Sequence, residues 1–203
     1  PKEHARGVYL DNGYILVMIN GERLNEVSFG KASVYTPHIP TKIIERIEVI
    51  RGPGSALYGS NAFLGVLNII TLTTDKRLTV SLGEKGYQQF STSWQEEISK
   101  DIRLHSNISV EKSDGNQYVS PLNRKVKDPY ANTYLEFGVK YKSNHFNMRY
   151  SENELDQFMN LGGYSVDNIH KSESFSISGK SQVWKNEDHQ LNAKIAYSLF
   201  EIK

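Results

Sequence analysis

From Lys76 to the end of the chain, apolar and polar residues alternate one for one between turn signals, a rhythm that admits little besides antiparallel sheet. Leu78, Val80 and Leu82 alternate with Arg77, Thr79 and Ser81, and Ile102, Leu104, Ile108 and Val110 with Arg103, His105, Asn107, Ser109 and Glu111. Leu135, Phe137, Val139 and Tyr141 alternate with Glu136, Gly138, Lys140 and Lys142, and Phe146, Met148 and Tyr150 with Asn147, Arg149 and Ser151. Phe175, Ile177 and Val183 stand against Ser174, Ser176, Ser178 and Lys180, and Leu191, Ala193, Ile195, Tyr197 and Leu199 against Asn192, Lys194 and Ser198. Residues 87–97, where Phe90 and Trp94 share a face, bring the prediction to about seven strands, many near the ~10 residues that a tilted membrane strand needs.

The connections alternate too. Residues 99–101, 143–144 and 185–188 are short turns, whereas 113–129 and 156–169 are long, polar and rich in Gly and Asn. Short turns on one side and long loops on the other are the habit of an outer-membrane barrel, and Tyr141, Phe146 and Trp184 sit beside the short turns, where an aromatic girdle belongs. A soluble antiparallel sandwich shares the alternation, so residues 76–203 leave both readings open. Composition fits either: 38% apolar residues with a mean hydropathy of −0.52, yet 11% aromatics, as in a sheet with one wet face. No run of about 18 apolar residues offers a transmembrane helix. A balance of 24 Lys and Arg against 23 Asp and Glu points to no nucleic-acid partner. The absence of Cys removes disulfides, thiolate zinc sites and cysteine nucleophiles, and suits an oxidising envelope compartment as well as the cytosol.

Residues 1–75 follow a different grammar, that of a small mixed α+β unit. Residues 14–19 read as a buried strand, Asn20-Gly21 as a hairpin turn and Glu22-Arg23-Leu24 as the start of the return strand. A loop over 28–40 leads to one helical turn over 40–45, capped by Thr41, and a strand over 46–50. Gly52-Pro53-Gly54-Ser55 breaks that strand, a short helix is predicted over 56–62, and residues 66–71 form another strand. The glycines after the strand do not make a phosphate cradle: Gly52-x-Gly54 lacks the third glycine and no Lys-Ser/Thr pair follows. Gly54-Ser55-Ala56 is not a nucleophile elbow either. The bottom-up reading is a tight turn whose glycines serve shape.

The string IPTKIIERIEVIRGPGSALYGSNAFLGVLNIIT, residues 39–71, closely resembles the end of the plug domain of TonB-dependent outer-membrane receptors. Ala5-Arg6-Gly7 resembles the family's earlier R-G element, and residues 17–24 its strand-(D/N)-G-x-x-L hairpin. One departure is Leu64-Gly65, where the family usually carries Gly-Gly. The resemblance implies a plug over 1–75 lacking its first part, then the first ~7 strands, over 76–203, of an antiparallel transmembrane barrel of about 22 strands. The chain opens Pro-Lys-Glu-His-Ala-Arg-Gly, without an initiator Met or signal peptide, and about seven strands do not close such a barrel, so a portion of a larger receptor is expected.

The resemblance further implies a non-enzymatic receptor in the outer membrane of a Gram-negative bacterium. It would take up a scarce nutrient complex, a ferric siderophore first and haem or cobalamin as alternatives, with energy delivered by the TonB protein from the periplasmic side. No cofactor is implied. The six histidines, His4, His38, His105, His145, His170 and His189, are scattered without metal-ligand spacing. Arg6 and Arg51 match plug arginines that pair with barrel glutamates, expected here beyond Lys203; a bridge to Glu45 or Glu48 is the alternative. Gly52, Pro53, Gly54, Tyr58, Gly59, Gly65 and Asn68 are expected to shape the plug motif. Ligand contacts are expected from Tyr9, Asp11 and Asn12 in the loop after the first R-G element and from Tyr118, Arg124 and Tyr164 in the long connections. Rival readings are a signalling or surface-binding receptor of the same family, and a soluble carbohydrate-binding module with Trp94 and Trp184 as platforms.

Overall fold

The computed structural model describes residues 4–5, 8–9, 14–24, 38–73, 76–119, 123–156, 169–186 and 188–203. Two compact units emerge: Pro1–Pro37 with Ile44–Leu72, and His38–Ile43 with Thr73–Lys203.

In the first unit, β1 (His4–Ala5) and β2 (Val8–Tyr9) form a short antiparallel ladder. β3 (Ile15–Ile19) runs through Asn20 and Gly21, at φ 50° and 77°, into β4 (Glu22–Arg23). Two successive positive φ values are what a two-residue hairpin turn matched to strand twist requires, and Asn-Gly supplies them at least cost. β5 (Ile44–Arg51), α1 (Ser55–Tyr58) and β6 (Gly65–Thr71) complete the unit. The sheet order is β4-β3-β6-β5, with β3 and β6 parallel and both outer pairs antiparallel. Leu16, Met18, Ala62 and Val66 make its buried core, with Tyr58 packed against them.

Two local expectations are corrected. The helix predicted over 56–62 stops at Tyr58, because Gly59 at φ 76° leaves the helical region and Asn61 at φ 70° continues the turn. The helical turn predicted over 40–45 is a 3-10 turn of three residues, Thr41–Ile43; β5 already begins at Ile44, and a bulge between Ile44 and Arg46 absorbs the early start.

The second unit is a meander. β7 (Arg77–Leu82), β8 (Gln88–Ser99) and β9 (Ile102–Ser113) are followed by a small ribbon of β10 (Gln117–Val119) and β11 (Lys125–Lys127). β12 (Tyr130–Tyr141), β13 (Asn144–Asp156), β14 (Ile169–Lys185) and β15 (Gln190–Ile202) then continue. The seven-stranded order is β15-β14-β13-β12-β9-β8-β7, antiparallel throughout. The ribbon occupies part of the connection 113–129 that the sequence suggested was irregular. Among the described residues β7 and β15 do not pair with each other, so the sheet is open.

The two faces of this sheet reverse the arrangement of a water-soluble protein. Leu78, Ile195 and Tyr197 are 68%, 78% and 60% exposed, while Asn107, Glu136 and Arg149 are 0%, 2% and 2% exposed. Phe90, Trp94, Leu135, Phe137, Phe146, Met148 and Leu199 extend the exposed apolar face. Gln89, Ser91, Ser109, Glu111, Asn132, Ser151, Asn153, Ser172 and Ser176 extend the buried polar one. Because side chains alternate strictly, a slip of one residue would exchange the faces, so the polarity of each strand fixes its register. Trp184 joins the apolar face opposite Leu191 only because a bulge between Gln182 and Trp184 shifts the phase of β14.

Candidate functional site

The plug-like motif is a closed loop held at both ends. Gly52 N–H donates to Leu64 O (3.1 Å), Gly54 N–H to Ala62 O (2.8 Å) and Tyr58 N–H to Gly54 O (2.9 Å). Gly65 is required by close approach: a Cβ there would stand 2.6 Å from the Ile50 carbonyl oxygen of β5. Gly54 is similarly hemmed in by Val66, Tyr58 and Ala62, and Gly52 sits at φ 97° beside exposed Pro53. Asn68, on β6, ties β5 to the turn between β3 and β4. Its Oδ1 accepts from Gly21 N–H at 2.9 Å and its Nδ2 donates to Glu48 Oε2 at 3.0 Å. Asn20 answers from the hairpin, its Nδ2 donating to Thr71 Oγ1 (2.8 Å) and its Oδ1 accepting from Thr71 N–H (3.1 Å).

Two arginines that the motif reading passed over carry much of this order. Arg23 donates to Ser60 Oγ (3.0 Å), Asn61 Oδ1 (2.7 Å) and Tyr58 O (3.0 Å), so the β4 side chain caps the C-terminal end of α1. Arg46 donates to Glu48 Oε1 from Nε (3.0 Å) and Nη2 (2.9 Å) and to Glu45 Oε1 from Nη1 (2.7 Å). The Asn68 amide first, and the Arg46 guanidinium next, hold the Glu48 carboxyl below its ordinary value. The bridge considered for Arg51 with Glu45 or Glu48 is thus made by Arg46 instead. Arg51 is exposed at the end of β5, and its side chain makes no hydrogen bond or ion pair with a described residue. Arg6 lies outside the described residues.

The buried face of the second unit is cross-linked by carboxylates. Glu111 accepts from Asn132 Nδ2 (2.8 Å) and Gln89 Nε2 (3.2 Å), and His38 Nε2 lies 3.0 Å from its Oε1. Glu136 accepts from Asn107 Nδ2 (2.9 Å), Asn147 Nδ2 (3.2 Å) and the Tyr134 hydroxyl (3.3 Å). The Ser91 and Ser109 hydroxyls meet at 2.7 Å. A buried carboxylate is tolerated only where donors meet its oxygens, and these amides supply them while joining β8, β9, β12 and β13. His38 arrives on a stretch in which Pro40 and Ile43 are fully buried. The His105 ring covers Gly138, where a Cβ would fall 2.0 Å from its Cε1.

Of the expected ligand contacts, Tyr118 stands in β10 opposite Val126, and Arg124 is exposed immediately before β11. Tyr9 stands in β2, paired with His4; its side chain, Asp11, Asn12 and Tyr164 lie outside the described residues. Trp94 and Trp184 sit on β8 and β14, with β13, β12 and β9 between those strands, so they form no shared platform. Among the described residues no group of three His, Cys, Asp or Glu side chains is placed to hold a metal. Among the described residues no helix is long and apolar enough to cross a membrane.

Comparison with known proteins gives the same picture. Residues 4–66 match the TonB-dependent receptor plug domain. The chain is 32% identical over 204 residues to the vitamin B12 transporter BtuB of Vibrio vulnificus (strain CMCP6), covering 96% of this chain and 30% of that protein. Its fold is similar to the closed form of the ferric-catecholate import receptor Fiu of E. coli K12 (TM-score 0.66, 14% identity), covering 98% of this chain and 30% of Fiu. It is also similar to the ferric yersiniabactin uptake receptor FyuA of Yersinia pestis (TM-score 0.64, 14% identity, 98% of this chain and 34% of FyuA). The chain therefore spans about a third of the length of these relatives.

Proposed function

Because the chain belongs to the TonB-dependent receptors, carrying plug residues and the start of the barrel, we propose that the whole protein takes up a scarce nutrient complex across a Gram-negative outer membrane. The observation that carries this reading is the reversed polarity of the seven-stranded sheet, apolar where it is exposed and polar where it is buried. An apolar outer band is stable in lipid and costly in water. Closure of the sheet into a plugged barrel of about 22 strands is part of the proposal. Energy comes through the TonB protein, which displaces the plug; the plug arginines Arg6 and Arg51 lock it against barrel carboxylates beyond Lys203. Replacing Arg51 with Ala in the full receptor is expected to loosen plug retention, and unchanged retention would remove the locking role.

The cargo proposed first is a ferric siderophore, contacted by Tyr9, Asp11, Asn12, Tyr118, Arg124 and Tyr164. Cobalamin is the second reading, favoured by the 32% identity to a vitamin B12 transporter. The test is accumulation of iron-labelled siderophores and cobalt-labelled cobalamin by cells with and without the gene, in the presence and absence of TonB. Gene- and TonB-dependent accumulation of one label identifies the cargo. Accumulation of neither, with surface binding retained, would replace transport by a signalling or surface-binding role.

A further inference from the structure

The polar face ends, toward the short turns, in a row dominated by basic residues. In direct cross-strand register stand Glu97 of β8, Arg103 of β9, Lys140 of β12, His145 of β13, Lys180 of β14 and Lys194 of β15. Alternation puts them on the polar face with Asn107, Glu136 and Arg149. Glu97, the one acid in the row, is taken by Arg103, whose Nε donates to Oε1 at 3.1 Å. The side chains of Lys140, His145 and Lys180 are exposed and make no hydrogen bond or ion pair with a described residue. Like charges directly opposite each other in a sheet oppose folding. Neighbouring strands lie ~4.8 Å apart, so the row presents a basic side chain at about that interval across five strands, with Lys140 and Lys180 two strands apart on either side of the His145 imidazole.

We propose that this row is a binding site for a polyanionic solute, one bearing two or more acidic groups, on the polar side of the sheet at its short-turn end. The proposal deepens the uptake reading and rests on it for the solute's role as cargo. A cargo with several negative groups would be drawn along the polar face and held by Lys140 and Lys180 before release, and a neutral cargo would gain nothing from the row.

The test uses the full-length receptor in detergent and in cells. Tripolyphosphate binding is measured by calorimetry at low and high salt in the unaltered receptor, in Lys140→Gln with Lys180→Gln, and in Lys140→Arg with Lys180→Arg. The expected result is saturable binding that weakens with salt, falls at least tenfold in the Gln pair and returns in the Arg pair, with all three forms showing the same heat-modifiable migration. In cells, the Gln pair is expected to slow uptake of a trianionic ferric tris-catecholate at least tenfold, leaving its surface affinity and any cyanocobalamin uptake unchanged. Absence of saturable tripolyphosphate binding by the unaltered receptor, or equal binding by the Gln pair, would overturn the site. If tripolyphosphate behaves as expected but the unaltered receptor accumulates no solute, the site stands and the uptake reading fails. Equal slowing of anionic and neutral cargo would overturn the charge-specific role.

Discussion

Placing a charge at the centre of the apolar face separates a membrane wall from a water-exposed sheet. Along β12 the exposed-face residues run from Thr133 through Leu135, Phe137 and Val139 to Tyr141, with Phe137 opposite Met148 of β13 and Ser106 of β9. At ~3.3 Å per residue and a tilt of about 40°, the height from Thr133 to Tyr141 is ~20 Å, which puts Phe137 near mid-depth and Tyr141 at an edge of a ~25 Å band. Phe137→Arg is therefore expected to cost ~2–4 kcal/mol in a bilayer and Tyr141→Arg ~0–1 kcal/mol. A water-exposed face would register both changes within about 0.5 kcal/mol. The assay is denaturant titration of the full-length receptor in lipid vesicles, followed by tryptophan fluorescence and heat-modifiable migration. Equal, small effects at positions 137 and 141 would refute the depth argument and return the sheet to water.

Further expectations concern the plug. Gly65→Ala forces a Cβ to within 2.6 Å of the Ile50 carbonyl, so β5 and β6 must part; a loss of ~1–3 kcal/mol, read as lost amide protection across that pair, is expected. Asn68→Ala removes the bonds to Gly21 and Glu48 and should cost ~1–2 kcal/mol, with exchange rising first at the Gly21 amide. Glu48 has a folded-state pKa lowered from 4.5, so its contribution is present above the ordinary carboxylate range and fades as pH falls through the depressed value. Amide protection of the β3–β4 hairpin should accordingly decline below about pH 4.5, and less so in Glu48→Gln.

Much of the architecture was legible because strict alternation leaves one choice of face per strand. Leu135, Phe137 and Val139 against Glu136 and Gly138 name both face and register before any coordinate is seen. Asn20-Gly21 announced its turn for the same kind of reason, since few residue pairs accept two positive φ values. What escaped were features set by contacts distant in sequence. The α1 helix was read too long because Arg23, far upstream, holds the chain turned at Tyr58, Ser60 and Asn61. Trp184 reached the apolar face through a bulge that a period-2 pattern does not encode. Arg46 rather than Arg51 met Glu45 and Glu48, a choice between two arginines near the same acids. The row of basic residues from Arg103 to Lys194 is visible only once strand pairing aligns residues drawn from five strands.

The central claim is that the apolar face of the seven-stranded sheet meets lipid. Its most direct test is a nitroxide scan of residues 195–199 in the full-length receptor reconstituted into vesicles, comparing collisions with oxygen and with a water-soluble nickel chelate. High oxygen accessibility and low chelate accessibility at Ile195, Tyr197 and Leu199, reversed or damped at Ala196 and Ser198, is the predicted result. Chelate access at Ile195, Tyr197 and Leu199 matching that of a water-exposed strand would contradict it.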